Sequence, residues 1–117
     1  MSPKRGDDVA PPCIGNEWRL RFATNEAAGW GDLVAEAPGN TRCCFEALRT
    51  DSMSTSDPYR QHRLRGRLAT AVLGGFAYPQ WEYEVTSGGR VRYLVDQPHW
   101  TVHLVQASTR HPKDTDS

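Results

Sequence analysis

The side chains best suited to chemistry in this 117-residue chain are arginines and histidines, and they are clustered. Arg60, His62, Arg63, Arg65 and Arg67 stand within eight positions, with no acid among them. Arg90 and Arg92 follow at alternate positions, and Arg110-His111 lies near the C-terminus. Arginine presents a planar fork of donors that matches phosphate oxygens and stacks on bases, and it outnumbers lysine twelve to two. Imidazole is the side chain that titrates near neutrality, so His111, just beyond the last strand, is placed to act as a mobile general acid. His99 and His103 read as structural or merely exposed. The acid-free arginine run reads as a surface for a polyanion or an acidic partner. For Glu84 and Arg92 a blander reading competes, a cross-strand ion pair on a solvated face.

The total charge does not announce such a surface. Fourteen basic and fourteen acidic residues cancel. Binding follows the local field rather than the sum, however. Up to residue 55 the chain carries six basic and eight acidic residues, and beyond it the numbers are reversed. No apolar run approaches the roughly 20 residues that span a bilayer, and no apolar core follows the charged start to make a secretory signal. Cys13, Cys43 and Cys44 are odd in number and two are adjacent, a poor disulfide framework. They read as reduced thiols, with Cys44 half-buried in a helix. The expectation is one cytoplasmic domain without metal or cofactor.

Elements must hold these groups in place. Residues 1–16 read as a flexible arm, 17–108 as the domain, and 109–117 as a polar tail carrying Arg110 and His111. Trp18, Leu20 and Phe22 alternate with charges in a strand over 17–23. Trp30, Leu33, Val34 and Ala37 form the apolar stripe of a helix that ends at Ala37-Pro38-Gly39-Asn40. A second helix over about 41–49 buries Cys44, Phe45, Ala47 and Leu48, and the short link makes an antiparallel helical hairpin. After a polar loop at 51–59 the period becomes two. Strands are expected over 68–73, 80–86, 90–96 and 101–108. The sum is an α+β fold, an antiparallel β-α-α-β-β-β sheet with the helical hairpin on one face.

A three-residue turn at Ser87-Gly88-Gly89, with glycine in the left-handed region, sets Thr86 opposite Arg90 and Glu84 opposite Arg92. Trp81, Tyr83, Val85, Val91, Tyr93 and Val95 then share the core face. Glu82, Glu84, Arg90, Arg92 and Leu94 share a charged, open one.

Leu64-Arg65-Gly66, Trp81-Glu82-Tyr83-Glu84-Val85 and Arg90-Val91-Arg92-Tyr93-Leu94-Val95-Asp96, in this order, resemble the RelE/ParE superfamily of bacterial type II toxins. Ser108-Thr109-Arg110-His111-Pro112-Lys113 is similar to the end of some members, so the resemblance covers about 17–113. It implies a toxin neutralised by an antitoxin encoded next to it. It further implies a metal-independent endoribonuclease that cuts mRNA, often on the ribosome, by 2′-hydroxyl attack. The ParE branch implies instead a non-enzymatic inhibitor of DNA gyrase, and a non-toxic antitoxin-binding domain is a third outcome. Carried over by position, the phosphate-stabilising arginine falls on Arg90, and the C-terminal Arg/His pair on Arg110 and His111. Two lysines of the RelE type fall on Glu82 and Glu84. That departure leaves Glu84 as a general base, with Glu82, Arg92 and the Arg60, His62, Arg63, Arg65, Arg67 group as substrate contacts. Trp18, Trp30 and Trp100 are either core or anchors for the antitoxin.

Overall fold

The computed structural model describes residues 4–110, apart from the side chain of Glu26. The elements run β1 (Arg19–Phe22), α1 (Trp30–Glu36), α2 (Pro38–Asp51), β2 (Gln61–Arg63), β3 (Thr70–Leu73), β4 (Phe76–Glu84), β5 (Arg90–Asp96) and β6 (Thr101–Ser108). Short 3-10 turns occupy Asn25–Gly29, Gly66–Leu68 and Gln97–His99. The fold is α+β, a multistrand sheet with two helices. Along the sheet the order is β1-β6-β5-β4-β2, with β3 also paired to β4.

The sheet is mixed, which corrects the all-antiparallel expectation. β1 lies parallel to β6, Leu20 opposite Val102 and Phe22 opposite Leu104. Parallel neighbours need a long crossover, and nearly the whole domain provides it here. Within 1–16, expected as a flexible arm, residues 6–9 run along the outer edge of β1. Val9 and Gly6 donate to the carbonyls of Leu20 and Phe22 at 2.8 and 2.6 Å, and Phe22 donates back to Asp7 at 2.8 Å. The Val9 side chain is buried in the core, so the domain begins before residue 17.

The helices are joined by Ala37 alone rather than by a four-residue link. Pro38 opens α2, at a position where its missing N–H would have no partner in the helix anyway. The Thr41 hydroxyl donates to the carbonyls of Leu33 and Ala37 at 2.9 and 2.7 Å, tying one helix to the other. Trp30 and Leu33 of α1 and Cys44, Phe45 and Leu48 of α2 bury against one sheet face. Val34, expected in the stripe, is 45% exposed. Cys44 is wholly buried rather than half-buried, and burial first, then the neighbouring Cys43, pushes its thiol pKa well up. The Tyr93 hydroxyl accepts from Gln61 Nε2 at 3.0 Å and donates to the Ser52 carbonyl at 2.8 Å, joining β5 to β2 and to the end of α2.

The β4–β5 hairpin differs in register from the sequence expectation by two residues. Tyr83 faces Val91, Glu82 faces Arg92 and Glu84 faces Arg90 across a loop of five residues, Val85–Gly89. A two-residue shift leaves every side chain on its expected face, since the strand period is two. Trp81, Tyr83, Val85, Val91, Tyr93 and Val95 all belong to the core. Left-handed glycine is found instead at Gly74 and Gly75 (φ 60° and 86°), which close the β3–β4 hairpin. Gly89 is small for another reason: a Cβ there would lie 2.8 Å from Thr86 Oγ1 and 3.0 Å from Leu33 Cδ2.

Candidate active site on the charged sheet face

The face of β4 and β5 turned away from the helices carries Glu82, Glu84, Arg90, Arg92 and Leu94, as expected, but it is not open. Glu82, Arg92 and Leu94 are buried, and Arg90 and Glu84 are partly so. Glu82 Oε2 accepts from Arg92 Nε at 3.1 Å, while its Oε1 lies 3.5 Å from Arg90 Nε and 3.9 Å from His62 Nε2. Arg90 Nη1 is also 3.7 Å from Glu84 Oε1. The expected Glu84–Arg92 pair is therefore replaced by Glu82–Arg92 and Glu84–Arg90, a consequence of the register. The long arginine stems and the carboxylates shield one another, as such side chains do when they pack side by side.

Arg90 has a further task. Its Nη1 donates to the carbonyls of Thr86, Ser87 and Gly89 at 2.9, 3.3 and 3.1 Å, stapling the loop from which β5 emerges. It is thus a positioning residue as well as a cation beside the carboxylates. Glu84, with a side chain 33% exposed, is the carboxylate that solvent or a substrate reaches.

The arginine run divides. Arg60 lies at the end of this face, its Nη1 donating to the Glu84 carbonyl at 3.2 Å. His62, opposite Glu82, belongs to the same face, and its buried Nδ1 has no hydrogen-bond partner among the described residues. Arg63 is opposite Trp81 and so falls on the helical side, donating to the Ala69 carbonyl at 3.3 Å. Arg65 and Arg67 are exposed in a detour between β2 and β3, and neither has an acidic partner within 4 Å among the described residues. Gln80 anchors both ends of that detour, accepting from Leu64 N at 3.0 Å and donating to the Ala69 carbonyl at 2.9 Å. Ser108 sits opposite Arg90, so the exposed Arg110 leaves β6 two residues beyond that register position. His111 lies outside the described residues.

The far end of the same face holds a cluster that sequence reasoning set aside. Asp96, at the end of β5, accepts from His99 Nδ1 at 3.0 Å and lies 3.6 Å from His103 Nε2. The Tyr78 ring packs 5.7 Å from the His103 ring. Burial pushes the Asp96 carboxyl pKa up, but the hydrogen bonds and charge of His99, with His103 close by, outweigh it, and the net shift is downward. Burial likewise lowers the His103 pKa, only partly offset by Asp96, with Arg21 adding to the drop. The signal in the sequence was the spacing Asp96…His99…His103, legible only once a turn after β5 brings them back together.

A pH dependence follows. On acidification the unfolded chain protonates its histidine near the ordinary value of about 6.5, while folded His103 resists. Stability is therefore lost as pH falls through the histidine range toward the lowered value. Asp96 adds a further loss as pH falls from its ordinary value through its lowered one. The expected result is a melting temperature that drops between pH 7.5 and 5.5, and drops less in His103→Gln, measured by calorimetry. Equal drops in both proteins would exclude His103 as the source.

Among the described residues no group of three or more His, Cys, Asp or Glu is arranged to hold a metal ion, and no helix is long and apolar enough to cross a membrane. Trp18 and Trp30 are core, whereas Trp100 is 54% exposed and packs on Trp18 with ring centroids 4.9 Å apart. Comparison with family models, curated proteins and solved structures finds no match to the chain.

Proposed function

We propose that the chain is a toxin of the RelE/ParE kind that cleaves RNA, with its reacting phosphate at the Glu84–Arg90 end of the charged face. The observation that carries the reading is the convergence there of a reachable carboxylate, Glu84, with Arg90 and Arg60, next to His62 and at the exit of Arg110. In this mechanism Glu84 takes the proton of the ribose 2′-hydroxyl, and the oxygen attacks the adjacent phosphorus. The bond to the 5′-oxygen breaks, leaving a 2′,3′-cyclic phosphate, and an imidazole returns a proton to the leaving oxygen. His111 is the acid that the resemblance supplies, and His62 is the imidazole beside Glu82 at this end of the face. Arg90 and Arg110 stabilise the charge that builds on phosphorus. Arg65 and Arg67 hold the flanking strand.

The partner is an antitoxin encoded by an adjacent gene. A groove of about 340 Å³ lined by Trp30, Val34, Pro38 and Phe45, with Arg42 and Glu46 at its rim, suits an apolar segment that orders on binding. Co-purification from a two-gene vector tests that partner.

Inducible expression with mapping of transcript ends tests the activity. Growth arrest with new cyclic-phosphate ends is expected, and Glu84→Gln should slow cleavage by about 10²–10⁴-fold, the usual contribution of a general base. One feature favours the gyrase-inhibitor reading instead: Glu82 is already neutralised by two arginines, as a face without phosphate chemistry would be. Arrest with intact transcripts and inhibited supercoiling would select it, and harmless overexpression would select a non-toxic antitoxin-binding domain.

A further inference from the structure

A cavity of about 510 Å³ opens between the β3–β4 hairpin and the turn at 97–100, at the end of β5 away from Glu84 and Arg90. Met53, Phe76, Tyr78, Val95 and Pro98 give it largely apolar walls. Among the described residues one carboxylate, Asp96, lines it, with a side chain only 9% exposed.

We propose that this cavity binds a small organic cation, an ammonium or amidinium group on an apolar or aromatic body, with Asp96 as its counter-ion. A carboxylate in apolar surroundings is costly unless a positive charge faces it. The partners of Asp96 are two imidazoles and no arginine or lysine within 4 Å among the described residues. His103, 3.6 Å from the carboxylate, is held toward its neutral form by burial, so it does not cancel the charge. Arg21, across from His103 on β1, is committed elsewhere, to the Gly6 carbonyl at 2.9 Å and Asp8 at 3.5 Å. His99 has a side chain 76% exposed on a short turn, and an incoming cation can displace it.

The walls complete the match. Phe76, 68% exposed, stands at the mouth, and its ring face attracts a cation electrostatically. The volume falls in the range of small-molecule pockets, and a few placed polar groups in an apolar cleft are what such sites use. A bound cation would bridge the β3–β4 hairpin to the turn between β5 and β6, two elements whose own backbones do not pair. The site does not depend on the toxin reading and lies on residues which that reading leaves unused.

Titration of the ¹⁵N-labelled full chain with benzylammonium chloride, and with benzyl alcohol as its neutral isostere, tests the proposal at pH 7.5 and constant ionic strength. Saturable shifts are expected at the amides of Phe76, Tyr78, Asp96 and His99, with benzylammonium bound about tenfold more tightly than the alcohol, a modest value for one partly shared counter-ion. Asp96→Asn should bring the two compounds to equal affinity. Phe76→Ala, at an exposed position where folding is not at stake, should weaken benzylammonium several-fold. Equal affinity of the wild-type protein for the two compounds overturns the proposal, as do shifts confined to the Glu82–Glu84 region or a Phe76→Ala variant that binds unchanged.

Discussion

Replacing Glu82 by alanine should cost about 3–5 kcal/mol in unfolding free energy, the usual penalty for removing one partner of a buried ion pair. Glu82 is the common acceptor of the charged face, with Arg92 at 3.1 Å and Arg90 at 3.5 Å. Its loss removes the carboxylate nearest to two guanidinium groups that cannot deprotonate, in a place where their side chains are only 5% and 11% exposed. Glu82→Gln keeps the shape and an acceptor oxygen but not the charge, and should fall between alanine and wild type. Urea denaturation of the three proteins measures the series. A loss below about 1 kcal/mol for alanine would mean that water and the remaining partners, Glu84 and the loop carbonyls for Arg90, compensate both arginines, as in an exposed pair. The same arithmetic says why Glu84, not Glu82, is the informative position for activity: a variant at Glu82 reports stability first.

Gly29→Ala should be about as damaging, for a reason unconnected with charge. Gly29 has ordinary helical torsions (φ −58°, ψ −11°), so the backbone would accept alanine. The obstacle is β6: a Cβ at this position would lie 2.0 Å from the Ala107 carbonyl oxygen and 2.9 Å from its carbon. Neither atom belongs to a flexible side chain, so the start of α1 must lift off the sheet. Overpacking of this kind costs about 1–3 kcal/mol when side chains can yield, and a backbone contact places this case at or above the upper end. Gly31→Ala, two residues along the same helix, meets nothing within 4 Å and should gain up to about 0.5–1 kcal/mol from helix propensity. The opposite signs, read from chemical denaturation of the two variants, separate close approach from propensity.

Faces were legible in the sequence where pairing was not. Alternation assigned Trp81, Tyr83, Val85, Val91, Tyr93 and Val95 to the core, and β5 and β6 have the expected bounds. The partner across the hairpin depended on loop length, and a five-residue loop closed by Thr86 and Arg90 side chains has no short-range glycine signature. β2 escaped because three residues carry no period, and it exists through its bonds to β4. Pro38 and Gly39 look like a helix stop in isolation, and only the packing of Thr41 against Leu33 shows that a second helix begins there. For the candidate site, the types Glu82, Glu84, Arg90 and Arg92 were evident, but their mutual burial was not, since it follows from the register. Asp96, His99 and His103 were missed because a turn, not a period, unites them.

The detour at 65–69 separates two kinds of selection. The main chain of Gln80 clamps both of its ends and its side-chain Nε2 donates to the Leu68 carbonyl at 2.8 Å, so β4 keeps its hydrogen-bond ladder whatever side chains stand at 65 and 67. Charge can therefore drift at 65 and 67 with little effect on folding, while the surface that meets a partner changes with every substitution. Two arginines occupy that stretch now. In a lineage under pressure to recognise a different partner, it is the segment where change would be cheapest, and where related chains should differ most in charge while retaining the glutamine that holds it.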